Sequence, residues 1–425
     1  MNRMQHRITR RHALSVGAAG AAGIGFTACG NTSDEKVEPP PESSDELTGS
    51  VVTWMYPNAA AEDPSLYQPY IDTFVEKYPN VDVEVVVQPW DSREEKLTTS
   101  ISGGTAPDVV YMSPDFLPRF AQQDLFLAMD DLRDDQDSFM KRSLESFNYE
   151  GTLYGMPVLV QAGACFANSR ILGELNMQGP TTWDEMRVLG DAAKEAGYYL
   201  TEYLGAETLN KNFYPYLYQA GGNVLTDDGS AAALNSSEGL EALEFLKEMV
   251  DNGWVPIEPL SVLTPFEQTE TAQGNVVYSH GQFLLPDVVS ILEDDIEVLP
   301  PMSHREQTAV GSFGGLSIFN TSESPEAAAA WVHHLTEGEF SKQISADYGF
   351  YPPRTDVTVV HEDTPEADDF GQYLDLIHPE VIHPQSREIM DTLKPMVQEV
   401  LLQGKSPQQA LEEMESAVND LLARG

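Results

Sequence analysis

Five residues in this chain have the types and placement to hold a polyhydroxylated small molecule. Trp54, Tyr56, Trp90, Asp115 and Phe283 each stand at or just past the end of a short apolar run that reads as a strand. An aromatic face stacks on the C–H face of a pyranose, and a carboxylate accepts from the hydroxyls at its edge. Plain core packing is the alternative for each aromatic. Trp54 and Trp90 lie beside the turns marked by Pro57 and Pro89, where strand ends open into pockets.

The same search finds little that could break a bond. Gly-x-Ser-x-Gly, phosphate-loop, dinucleotide and His-Glu-x-x-His patterns are all missing. His333 and His334 are adjacent on an expected helix, so their rings diverge by about 100° and do not share a metal readily. His378-Pro379 and His383-Pro384 fall in a Pro-broken loop with no fixed third ligand nearby. Acid pairs such as Asp130-Asp131, Asp134-Asp135 and Asp294-Asp295 arise by composition in a chain with 68 acids. Cys165, in the small apolar run Ala162–Phe166, reads as a buried structural thiol. No catalytic residue, no metal and no cofactor is expected.

The elements that must position the candidates follow from periodicity. Val51–Trp54, Val81–Val87 and Asp108–Met112 read as strands, separated by helical stretches through Tyr67–Val75 and Arg93–Ile101. Strand, helix, strand, helix, strand is the signature of a parallel sheet, whose ligands bind beyond the carboxyl ends of the strands. Further helices are expected over 115–123, 183–196, 237–252, 325–336, 339–347, 386–402 and 407–423, with short strands over 275–279, 296–299 and 315–319. Ser324-Pro325 and Ser406-Pro407 each set a capping Ser before Pro at a helix start.

Charge and polarity set the setting. Residues 1–28 carry four arginines and no acid, and all acids lie beyond Cys29. Arg10-Arg11, a mild apolar run from Ala13 to Ala28 and then Cys29 form an export signal of twin-arginine type ending in a lipobox-like cysteine, the expected lipidation site. The run of 16 residues is too short to span a bilayer. Residues 29–48, acidic and Pro-rich, read as a flexible tether. The formal net charge of −44, spread along the chain, argues against nucleic acid as a partner; it reads as a halophile's solvated surface, with the binding of cations or polycations as the alternative. A single cysteine after Cys29 excludes a disulfide framework.

Ordered motifs then converge. Ser102–Val110 (SGGTAPDVV), Gly151–Pro157 (GTLYGMP), Pro180–Glu185 (PTTWDE), Gly221-Gly222 with Asp227–Gly229, Gly281–Phe283, Gly314-Gly315 and Gly349–Arg354 (GFYPPR) occur in this order. The chain from about residue 50 onward resembles the extracytoplasmic solute-binding proteins of ABC importers, in the group that contains maltose- and oligosaccharide-binding proteins. The resemblance implies an α/β, two-lobed periplasmic-binding-protein-like fold of type II. Each lobe would be a mainly parallel sheet flanked by helices, with the ligand cleft between them. It implies lobes of 49–159 with 299–324 and of 160–298 with 325–425, with crossings near Leu159–Gln161, Glu297–Leu299 and Ser324.

It further implies ligand contacts from Trp54, Tyr56, Trp90, Asp115, Gln161, Phe213 (or Asn212 beside it), Phe283, Gly314, Gly315 and Tyr351. Met112 stands where some oligosaccharide binders carry Trp. The implied protein is a non-enzymatic, monomeric, lipid-anchored receptor that captures a saccharide and delivers it to the transmembrane subunits of an ABC permease. A polyamine or metal chelate is the alternative solute, which would need several acids in the cleft. A secreted glycoside hydrolase would need two carboxylates about 5–10 Å apart.

Overall fold

A computed structural model describes residues 36–56, 64–89, 92–282, 285–361 and 364–424. Trp90, Phe283 and Cys29, with the export signal, lie outside the described residues. Among the described residues nine strands occur: β1 (Gly49–Met55), β2 (Val81–Val87), β3 (Val109–Met112), β4 (Asn148–Tyr149), β5 (Thr152–Leu153), β6 (Met156–Asn168), β7 (Tyr278–Gln282), β8 (Ile296–Leu299) and β9 (Val310–Ile318). Seven of them form one sheet in the order β2-β1-β3-β9-β6-β7, with β8 also paired to β6. β4 and β5 make a separate hairpin around Glu150-Gly151, both at positive φ, the backbone twist that a two-residue hairpin requires.

The first lobe is built on β2, β1 and β3, which pair in parallel as the strand–helix alternation predicts. β1 buries Val51, Thr53 and Met55 on one face, the period-2 pattern of a sheet covered by a helix. The helix Pro325–Leu335 covers it. Ala327–Ala330 are all buried and let its backbone lie close to the strands. Trp331 Nε1 donates to Thr53 Oγ1 at 3.0 Å, and its ring meets Phe74 edge-on at 5.1 Å. This corrects the expected division, which gave all of 325–425 to the second lobe: an alanine face and a buried Trp bring the helix back to β1.

β6 joins the lobes. Its first half pairs with β9, from Met156 to Gly163, and its last residues with β7 and β8. Among the described strands the parallel ladders are β1 with β2 and β1 with β3, and the ladders around β6 are antiparallel. The return passage lies between Leu299 and Val310, later than the crossing expected at Glu297–Leu299, because β8 still pairs with Cys165–Asn168. The second lobe's core centres on Trp183, which stacks on Phe245 at 4.3 Å. Its helix Trp183–Ala196 opens with a capping box in which Thr182 and Glu185 bond each other's backbone N–H, and it stops at Gly197 in the left-handed region. The helices Ser386–Gln403 and Pro407–Leu422 pack with Ser237–Asp251 in this lobe.

The tether reading also needs correction. Residues from Lys36 onward lie on the first lobe, with Val37 buried and its N–H bonded to Ala128 O at 3.0 Å.

Candidate functional site

The site is centred on Asp115, just past the carboxyl end of β3, where an open α/β sheet presents its ligand positions. The side chain is only 2 % exposed. Its Oδ1 accepts from Ser113 Oγ at 2.8 Å and from Arg387 Nη2 at 2.9 Å, and its Oδ2 lies 2.8 Å from Arg387 Nε. The guanidinium thus holds the carboxylate by one charge-assisted hydrogen bond, from Nη2, and one close charge contact, at Nε. Ser386 adds a hydroxyl bond to the Asp115 carbonyl. Ser386 and Arg387 open the helix Ser386–Gln403, which belongs to the other lobe, so this pair bridges the lobes.

A second guanidinium lies behind the first. Arg93, at the start of the helix Arg93–Ser102, donates to Ser113 Oγ at 3.0 Å. Its charge sits over the rings of Tyr56 at 5.6 Å and Phe116 at 5.0 Å. Burial, then the nearby Arg387, pull the Arg93 pKa down to about 10, while burial pushes the Tyr56 hydroxyl up to about 12.

The second lobe contributes two buried tyrosines. Tyr214 and Tyr218, four residues apart on the helix Phe213–Gln219, share one face, with Tyr214 near Asp115 and Tyr218 near Glu380. Tyr218 stacks on His378, ring centroids 3.6 Å apart and nearly parallel. Glu380 follows, its Oε1 accepting from Asn210 Nδ2 at 2.8 Å and its carboxyl reached by the Ser312 hydroxyl. Burial, then the Asp115 charge, push the Glu380 carboxyl up to about 8.

Residues 69–369 match the family described as bacterial extracellular solute-binding protein. The chain belongs to that family. Its members are binding proteins that work outside the cytoplasm. The solute-binding chain is 24% identical over 322 residues to a maltotriose-binding protein of Pyrococcus abyssi, covering 73% of this chain and 68% of that one. It shares its fold with the GacH receptor of Streptomyces glaucescens, solved unliganded and with acarbose (TM-score 0.75, 22% identity, 89% of this chain and 99% of that one). The sugar-binding protein MalE of Xanthomonas citri matches similarly (TM-score 0.76, 20% identity, 88% and 98%). These folds are of the two-lobed type II class.

Of the positions expected from the sequence, the solute-binding fold brings Tyr56 and Asp115 into this cluster. Trp54 is partly exposed on β1, on the same face as Tyr56 by strand alternation. Gln161 is partly exposed where β6 leaves the first lobe, and it pairs with Ser312. Four expected contacts have structural work instead. Phe213 is fully buried in the core, as is Tyr214 beside it. Tyr351 is buried and its hydroxyl donates to Ala367 O at 2.6 Å. Gly314 and Gly315 give clearance: a Cβ on Gly314 would overlap the Tyr111 hydroxyl, and one on Gly315 would come within 2.6 Å of the Phe147 ring. Asn212, the neighbour considered with Phe213, spends its amide on Leu204 O and Thr208 O.

Sequence reading missed Arg93, Tyr214, Tyr218, His378, Glu380 and Arg387. Arg93 and Arg387 each open a helix, but nothing local in the sequence says that they meet at one acid.

Proposed function

We propose that this receptor captures a saccharide, from mono- to oligosaccharide, in the cleft around Asp115 and hands it to the transmembrane subunits of an ABC importer. The interlobe pair of Asp115 and Arg387, walled by Tyr56, Tyr214 and Tyr218, carries the reading. Planar hydrogen-bonding groups flanked by rings suit a ring of hydroxyls, and groups drawn from both lobes let a ligand favour closure. The maltotriose-, acarbose- and sugar-binding relatives support the same ligand class. Stacking on two or three rings with several hydrogen bonds corresponds to micromolar affinity, about −8 kcal/mol.

A cationic solute is less well served, because Asp115, Glu380 and Asp391 face Arg93 and Arg387 rather than an empty acidic cleft. One observation favours a hydrolase: a raised-pKa Glu380 beside Asp115 looks like an acid paired with a nucleophile. Against it, Asp115 is buried and gripped by Arg387, which leaves no exposed nucleophile. The reading extends to a monomer exported by the twin-arginine route, lipidated at Cys29, and carrying its acidic surface as an adaptation to salt.

A thermal-shift screen in molar salt, using saccharides, polyols, polyamines, amino acids and metal chelates, tests this. A ligand at a hundred times its dissociation constant stabilises the fold by about 2.7 kcal/mol. A saccharide shift without product supports the receptor. Shifts with polyamines or chelates alone move it to the cationic solute, and sugar turnover overturns it.

A further inference from the structure

The segment Lys36–Leu47 is bonded along its length to one lobe. Lys36 forms a parallel bridge with Ala128, and its Nζ lies 3.3 Å from Asp131 Oδ2. The buried Val37 donates its N–H to Ala128 O at 3.0 Å. The Pro39–Pro41 run then arches over a cavity of about 470 Å³ floored by Leu127, Pro325 and Ala329. At its far side Tyr78 donates its hydroxyl to Pro41 O, Ser44 N–H bonds Lys77 O at 3.1 Å, and Asn80 Nδ2 bonds Asp45 O at 2.7 Å. Leu47 closes the segment by packing against the core. Every partner belongs to the first lobe.

We propose that this segment is a strap that moves the point of attachment from the start of β1 to Lys36, so that the anchor holds the receptor by the first lobe on a short leash. The inference rests on the reading of Cys29 as the lipidated residue. Residues 29–35 extend to at most about 25 Å, against about 70 Å if everything to residue 48 were free. The first lobe, at its Ala128–Asp131 edge, is then held near the bilayer. The second lobe stays unrestrained, so closure on a ligand is a movement of the second lobe toward a held first lobe. The bonds that make the strap are local and few, with a single buried apolar side chain at its head, so its attachment can be undone without unfolding the lobe.

The test uses the full lipoprotein bound to vesicles carrying a fluorescent acceptor lipid. A donor is placed at Asp134→Cys, exposed beside the strap's exit, or at Leu263→Cys, exposed in the second lobe; Cys165 is buried and does not label. Energy transfer from position 134 is expected to exceed that from 263 by about twofold, given the leash length. The loosened variant Val37→Asp with Tyr78→Phe, which keeps the ring in the core, should remove the difference. Equal transfer from both positions, or no change on loosening, overturns the proposal. Failure to bind vesicles overturns the anchor reading instead, and hydrogen exchange on a Cys29→Ala chain then decides the strap. Protected amides at Val37 and Ser44 uphold it, and coil-like exchange at both ends it.

Discussion

Asp115 and Arg387 are 272 residues apart in the chain, yet they form a two-nitrogen ion pair that ties the end of β3 to the first turn of a second-lobe helix. The pair is asymmetric: the carboxylate is buried and the arginine side chain is 37 % exposed. Arg387 is thus the more accessible member of the pair, and Asp115 is the residue that holds it in place.

Removing one partner should hurt more than removing both. Arg387→Ala leaves a buried carboxylate with Ser113 as its remaining side-chain donor, at a cost of about 3 kcal/mol. The double variant Asp115→Asn with Arg387→Met should recover most of that, while ligand affinity stays low in both. Urea denaturation of Asp115→Asn, Arg387→Met and the double gives the coupling energy; a value near zero would show that the pair does not bridge the lobes in solution.

Aromatic substitutions should separate wall from core. Tyr218→Ala removes the ring that stacks on His378 and should weaken saccharide binding by about 1–3 kcal/mol with the fold intact. Phe213→Ala, by contrast, should cost about 3–5 kcal/mol of stability and leave the affinity of the folded protein unchanged. Calorimetric titration with thermal melts distinguishes the two patterns, and an unchanged affinity in Tyr218→Ala would move the cleft elsewhere.

Two carboxyls should give pH effects of opposite sign. Glu380 keeps its proton up to about 8 when folded but loses it near 4.5 when unfolded. Its contribution is full below about pH 4.5 and disappears as pH rises through 8, so Glu380→Gln should flatten stability across that window. Asp135 is held well below its ordinary value, first by its hydrogen bonds from Arg133 and then, opposed by burial, by Arg354. Its contribution is present above pH 3.8 and lost on acidification below it, and Asp135→Asn should reduce that acid sensitivity. Denaturant midpoints between pH 3 and 9 measure both; a Glu380→Gln profile parallel to the native one counts against the buried carboxyl.

Gly314→Ala should destabilise by about 1–3 kcal/mol through its overlap with Tyr111, since neither β3 nor β9 can shift without breaking the ladder. A melting temperature unchanged by this substitution would mean the two strands lie further apart than described.

Local pattern carried much of this protein. Alternation and helical periodicity located β1, β2 and β3 with their connecting helices, and Thr182 with Glu185 marked a helix start by chemistry that acts within four residues. Asp115 was legible because it follows directly on a strand. The long β6 was not read as a strand, since its buried residues run without alternation, as they do where a strand is covered on both faces. What only the tertiary structure decided are relationships over long separations. No local signal says that Arg387 closes on Asp115, that Glu380 loses its solvent beside them, or that Trp331 returns its helix to β1. Phe213 and Tyr214 are neighbours and both buried, and only the packing of one short helix sets Tyr214 near Asp115. Val37 is a lone apolar residue in a polar stretch, and a surface built from Ala128 and Leu127, far along the chain, turned a tether into a strap. Periodicity reports what a residue's immediate neighbours require, whereas charge pairing and desolvation depend on which distant groups the fold brings within a few ångströms.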